Sequence, residues 1–343
     1  MQVLGLAPTN QCHRNCLHCF LDKAEPRADL PLELAEGILT QAGSLGFSHI
    51  SLTGGEVALY PHLKELLRSI AARGLEFSLM TSGYLFPARV LPLLLSPEVR
   101  PRVKEVCLSL DGVRAETHEA LRGPGAFQEV LTAATLCQAH NLAFSLKSMI
   151  TMFNREELTE MAFLGASLGA EEQMFLTTIP TPRLIEARAI LPPEELDRLT
   201  GWIVNRLAPA LKIKISVSGY MSSRALNSCP YIFGHAFADA HGNLILCCDL
   251  AGMSPGRGSS SRFGAELLAD LRQVPLKEGL VRHFQAGADL ARSRLHSLAH
   301  WRDRPFPLCY WCYNYFGKLE WLKRYPDSPW AAGVLGTGGR PGN

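Results

Sequence analysis

Short apolar, β-rich runs alternate with segments of helical period through the first half of the chain. The strand-like runs are 3–7, 49–52, 76–80, 103–110, 142–146 and 174–177. Between them, Leu63, Leu66, Leu67 and Ile70 fall on one face of a helix. Leu158, Met161, Ala162, Gly165 and Leu168 mark the face of another, and Asn154 with Glu157 three residues on reads as a capping box at its start. Repeated strand–helix units predict an α/β fold, its parallel sheet closed or nearly closed into a barrel. Chemistry in such sheets collects at the C-terminal ends of the strands.

The rhythm breaks at Thr178-Ile179-Pro180-Thr181-Pro182. A helix is expected after Pro192-Pro193-Glu194-Glu195, because proline and acidic residues suit a first turn. A domain boundary is placed near residue 210, with a second domain over 211–325. Within it, His241-Gly242-Asn243 reads as the turn of a β-hairpin. The Gly/Pro-rich segment 326–343 is expected to be a flexible tail.

Composition narrows the function. The 343 residues are 47% apolar and 19% charged, enough to bury a sizeable core. Net charge is +2 with no basic run, so no nucleic-acid partner is expected. No apolar stretch reaches the length of a membrane span, and the N-terminus lacks the basic region of a signal peptide. Ten cysteines without a secretion signal point to metal or redox use in a reducing compartment, and the expected location is cytoplasmic.

Cys12, Cys16 and Cys19 stand at C-x3-C-x2-C spacing directly after the first strand. Three thiolates leave one position of a metal centre open, where a substrate or cosubstrate can bind. A zinc site completed by His13 or His18 is the plainer alternative. The second strand runs into Thr53-Gly54-Gly55-Glu56, in which the glycines admit close backbone approach and the carboxylate can accept from an ammonium group. Together these stretches resemble the signature of the radical S-adenosylmethionine (radical SAM) superfamily. The resemblance implies a partial (β/α)6 TIM-like barrel followed by a small α+β extension. It also implies a [4Fe–4S] cluster on Cys12, Cys16 and Cys19, with SAM held near Gly54, Gly55, Glu56, His18, Ser82, Ser109 and Asp111. Ser109 and Asp111 equally fit a strand-end hydrogen bond and an Asp-Gly turn. Lys147 either meets a carboxylate inside the barrel or lies at the open strand end. Cys107 and Cys137 read as small buried apolar residues.

A second set follows. Cys229, Cys247, Cys309 and Cys312 make four thiolates, the last two as a C-x2-C pair. The arrangement resembles the twitch form of the SPASM extension, which binds one auxiliary [4Fe–4S] cluster; Phe263-Gly264 and a helix-like 266–273 fit the same extension. A four-cysteine zinc ribbon is the alternative. The aromatic run from Tyr310 to Phe316 would keep such a centre dry. Cys248 reads as a bystander, an alternative ligand or a hydrogen-atom donor; Asp249, His235, Asp239 and Tyr220 are acid/base candidates by location.

The resemblance implies reductive cleavage of SAM to a 5′-deoxyadenosyl radical that abstracts a substrate hydrogen. It favours oxidative modification of a ribosomally synthesised peptide, with a flavodoxin or ferredoxin as reducing partner and a separate peptide-recognition protein. A small-molecule dehydrogenase, epimerase or related tailoring enzyme is the second reading. A non-enzymatic iron–sulfur or zinc binding module is the third.

Overall fold

The structure is a computed structural model describing residues 3–21, 26–218, 229, 231–251, 264–301 and 306–335. One sheet organises it. Its strands are β1 (Val3–Thr9), β2 (His49–Gly54), β3 (Glu76–Thr81), β4 (Val103–Ser109), β5 (Phe144–Met149), β6 (Glu172–Leu176), β7 (Lys214–Ser218), β8 (His235–Ala238), β9 (Asn243–Ile245) and β10 (Leu267–Asp270). Their spatial order is β10-β9-β8-β1-β2-β3-β4-β5-β6-β7. The run from β8 to β7 is parallel throughout, and β9 and β10 are added antiparallel. The sheet is open: β7 and β10 are its two edges.

Period-two alternation explains the layers. Leu4, Leu6, Ile50, Leu52, Phe77, Leu79, Val106, Leu108 and Leu146 are completely buried beneath the helices. Each such side chain contributes roughly 1.5–3 kcal/mol. Leu32–Ser44, Leu63–Ala72 and Ala126–Ala139 cover this face with their apolar stripes. The opposite face carries polar residues, among them Ser78, Ser145, Lys147 and Glu172.

Several expectations are revised. The sheet does not stop at residue 210: β7 pairs with β6, and β8 pairs with β1. The capping box is absent. Asn154 instead donates to the carbonyls of Asp111 and Met149, while Glu157 accepts from Val113 N, Arg114 and Thr117. Both side chains tie the start of Leu158–Leu168 to the loop after β4 rather than to its own first turn. The stretch 266–273 is not helical; Leu267–Asp270 pairs with β9, so ladder bonds override helical propensity. Phe263 lies outside the described residues. The expected loose tail is packed as far as residue 334, because Trp330 is completely buried against Phe306 and Tyr310 and its indole donates to Leu191 O at 2.8 Å. Residues 336–343 lie outside the description. No described helix is long and apolar enough to cross a membrane.

Candidate active site

Cys12, Cys16 and Cys19 sit on the loop leaving the C-terminal end of β1. The end of β2 holds the loop's first part: Gly55 N donates to Thr9 O and Glu56 N to Gln11 O, each at 2.8 Å. This contact explains the two glycines. A Cβ on Gly54 would stand 2.4 Å from Thr9 O, and one on Gly55 would stand 1.9 Å from Gln11 O. The close approach they allow is to the chain's own loop. The second part is held by Leu17 N on Leu121 O (2.9 Å), by Thr181 Oγ1 on Leu17 O (2.7 Å) and by Arg183 on Cys19 O (3.0 Å). Arg14 pins the middle to Glu129 at 2.7 Å. Cys16 is buried, which pushes its thiol up; Cys12 and Cys19 are half-buried.

Glu56 is buried beside this loop. Its carboxylate accepts from Thr81 Oγ1 (2.6 Å), Ser82 Oγ (2.7 Å), Ser82 N (2.9 Å) and Ala58 N (3.3 Å). Burial pushes its carboxyl up, and the Thr81 and Ser82 bonds oppose that.

Asp111 is held by donors of the protein itself. It is completely buried; Oδ2 accepts from Arg122 Nε at 2.5 Å and Oδ1 from Met149 N at 2.7 Å. Burial pushes its carboxyl up, but Arg122, His18, His118 and the Met149 N–H together outweigh this and hold it low. Asp111 N donates to His118 Nδ1 at 2.9 Å. Ser109 is buried at the end of β4, in register with Lys147. His18 is half-buried among Arg122, Asp111 and Arg183; burial, then Arg122, pushes its imidazole down to about 4. Lys147 does meet a carboxylate: its Nζ lies 3.9 Å from Glu172, which Lys214 reaches at 3.3 Å. Cys107 and Cys137 are buried, and burial pushes both thiols up to about 12.

The second cysteine set surrounds a cavity of about 260 Å³ between the end of β7, the β9 region and the helices Leu276–Trp301 and Leu308–Tyr315. Cys229, Cys247, Cys309 and Cys312 all line it, with Asp249, Arg294 and Tyr313. Asp249 presents an open face to this cavity yet is ringed by protein, so burial pushes its carboxyl up. Cys309 Sγ lies 3.6 Å from Asp249 and Cys248 Sγ 3.7 Å. Tyr313 donates to Asp249 O at 2.5 Å and packs against Phe20, the residue after Cys19, with ring centroids 5.7 Å apart. The two cysteine sets are therefore neighbours through one aromatic contact. His235 packs against Tyr231 at the entry end of β8, and Asp239 closes the Gly242 turn by accepting from His241 N and Asn243 N. Both serve structure. Tyr220 lies outside the described residues.

The family model of the radical SAM superfamily matches residues 6–164. The chain carries a radical SAM domain. An AdoMet-dependent heme synthase of Methanosarcina barkeri is 28% identical over 197 residues, covering 57% of this chain and 55% of the relative. Mycofactocin maturase MftC of Mycobacterium tuberculosis is 26% identical over 209 residues, 58% of this chain and 50% of the relative. The chain thus spans about half the length of these curated relatives. Among solved structures, anSMEcpe with bound AdoMet and a peptide superposes with TM-score 0.64 at 15% identity, covering 94% of this chain and 98% of that one. Such radical SAM folds are open, partial TIM barrels, as this sheet is.

The residues fit the groups a radical SAM enzyme needs. Three thiols on one braced loop offer a donor set with an open fourth position. His18 Nδ1 is buried beside them without a hydrogen-bond partner, as befits a wall awaiting a ligand. Four thiols line one cavity at the second set. Among the described residues no three His, Cys, Asp or Glu side chains are gathered closely enough to hold a metal ion of any kind. Sequence reasoning missed Arg122, Arg183, Thr181 and Arg294. Each lies far along the chain from the cysteines it serves, and none belongs to a spacing pattern.

Proposed function

We propose that this radical SAM protein holds a [4Fe–4S] cluster on Cys12, Cys16 and Cys19 together with SAM, and one auxiliary [4Fe–4S] cluster on Cys229, Cys247, Cys309 and Cys312. When bound, the first cluster and SAM supply a 5′-deoxyadenosyl radical able to remove a hydrogen atom from an unactivated C–H bond. The observation that carries this reading is the Gly54-Gly55-Glu56 strand end hydrogen-bonded directly onto the cysteine loop. In this reading Glu56 stands beside the open position, where its carboxylate takes up an ammonium group; its place next to the cysteine loop supports this. Gly54, Gly55, Ser82 and His18 form the surrounding wall. Ser109 ends β4 in register with Lys147, and Asp111 ties the following loop to Arg122 and Met149. Lys147 and Glu172 give the polar face of the sheet a charged row suited to orienting a polar substrate.

The substrate class we favour is a ribosomally made peptide, oxidatively modified, in keeping with the maturase among the relatives. The heme synthase favours the second reading, a small-molecule substrate. A flavodoxin or ferredoxin would deliver the electron, in a cytoplasmic setting.

The test is anaerobic reconstitution with iron and sulfide, followed by SAM and a strong reductant. About eight irons per chain and release of 5′-deoxyadenosine are expected. Intact SAM, or zinc in place of iron, sinks the reading. Deuterium transfer into 5′-deoxyadenosine from a deuterated peptide, and not from a deuterated porphyrin precursor, decides the substrate class.

A further inference from the structure

We propose that Arg294 is a positioning residue for the second cysteine set, whose guanidinium raises the reduction potential of the iron–sulfur centre held there. The proposal rests on the auxiliary-cluster reading of Cys229, Cys247, Cys309 and Cys312.

Arg294 lies on Leu276–Trp301 and is only 2% exposed. Its neighbour Arg292 points outward to Asp289, whereas Arg294 turns inward and lines the cavity. Nη2 donates to Cys312 Sγ at 2.6 Å. Its guanidinium carbon lies 5.8 Å from the ring centroid of Trp311, the residue before Cys312, whose face holds the cation in place. Cys229 is the second thiol within its reach. Asp249 is the charged residue on the cavity wall beside Cys309.

The first cysteine set also has an arginine beside it, with its side chain 11% exposed. Arg122 acts on Cys16 and Cys19, but its Nε is 2.5 Å from the Asp111 carboxylate, so its charge is balanced on the spot. At the second set Arg294 donates to the Sγ of Cys312 itself. Adding an electron to a cluster adds negative charge in a low-dielectric interior. A fixed cation and an N–H···S bond both favour that reduced form and raise the reduction potential. Arginine suits the task because it stays charged when buried and its planar head is held against the indole.

The test uses the full chain with Cys12→Ala, Cys16→Ala and Cys19→Ala, so that only the second set can hold a cluster. Its reduction by dithionite is titrated against potential and followed by electron paramagnetic resonance. Arg294→Gln is expected to weaken reduction at least tenfold, a fall of about 59 mV for one electron, and Arg294→Lys to recover part of the loss. An unmoved potential at full iron content overturns the proposal. Arginine-specific ¹⁵N labelling reads the contact without touching Arg294: the reduced centre should show a weak ¹⁵N coupling, and its absence overturns the proposal even where the variants fail to fold. A chain that takes up no iron at the second set instead overturns the auxiliary-cluster reading, and the proposal with it.

Discussion

The carboxylate of Glu56 and the hydroxyl of Ser82 meet across the ends of β2 and β3, 2.7 Å apart. Three further donors converge on the same buried carboxylate. Removing it leaves Thr81 and Ser82 with buried donors to satisfy. Glu56→Ala should therefore cost about 1–3 kcal/mol of stability, measured by urea unfolding. Glu56→Gln, which keeps the shape, should cost less while weakening SAM binding in equilibrium dialysis of the reconstituted protein. Unchanged SAM affinity in Glu56→Gln would remove Glu56 from the ligand site.

A methyl group at residue 55 would collide with the backbone of Gln11 at 1.9 Å, and backbone cannot swing aside as a side chain does. Gly55→Ala should displace the cysteine loop and lower iron uptake by about four atoms per chain, one cubane. The cluster at the second set should be retained. Iron analysis of the two reconstituted proteins checks this, and full iron content would show that the loop tolerates the shift.

The fold holds His118 neutral. Burial pushes its imidazole down to about 4, from an ordinary 6.5, and its Nδ1 must stay unprotonated to accept from Asp111 N. In the unfolded chain the ring takes up a proton below about pH 6.5. The stabilisation is therefore complete above that value and is lost as pH falls from 6.5 towards 4, at about 1 kcal/mol per pH unit. Urea midpoints between pH 7.5 and 4.5 should show the decline, and His118→Phe should flatten it. His18 titrates with the same sign, so some slope should remain.

Trp330 is enclosed by Phe306 and Tyr310, and the Tyr310 hydroxyl donates to Trp330 O. Tyr310 sits between Cys309 and Cys312 on one helix. Trp330→Ala should cost about 3–5 kcal/mol and reduce iron retention at the second set more than at the first. Thermal unfolding and iron analysis together test this; a variant as stable as the parent would return 326–335 to the status of a loose tail.

The first six strands were legible because each is a short buried run whose alternation shows in Leu4 and Leu6, or in Phe77 and Leu79. The cysteine spacing and the Gly-Gly-Glu strand end were legible for the same reason: they are local. What could not be read is whatever distant parts of the chain decide. β7 is brief and begins on a lysine, and only its pairing with β6 makes it a strand. Leu267–Asp270 became a strand because β9 was there to receive it. Asn154 and Glu157 carry a helix-start pattern, yet the loop after β4 claims both side chains. Arg122 and Arg294 look like any helix arginine until the fold turns them inward.

The pairing of β8 with β1 has a consequence for how the molecule is made. As the chain leaves the ribosome, β1 can acquire β2 as a neighbour early, but its other edge stays bare until residues 235–238 are synthesised. For most of translation the cysteine loop therefore hangs from a half-paired strand. On the proposed cluster reading, loading of Cys12, Cys16 and Cys19 would wait for β8 and so fall late in synthesis, close to the arrival of the C-terminal cysteines. A nascent chain stalled before β8 should be prone to edge-to-edge association rather than poised to take up iron.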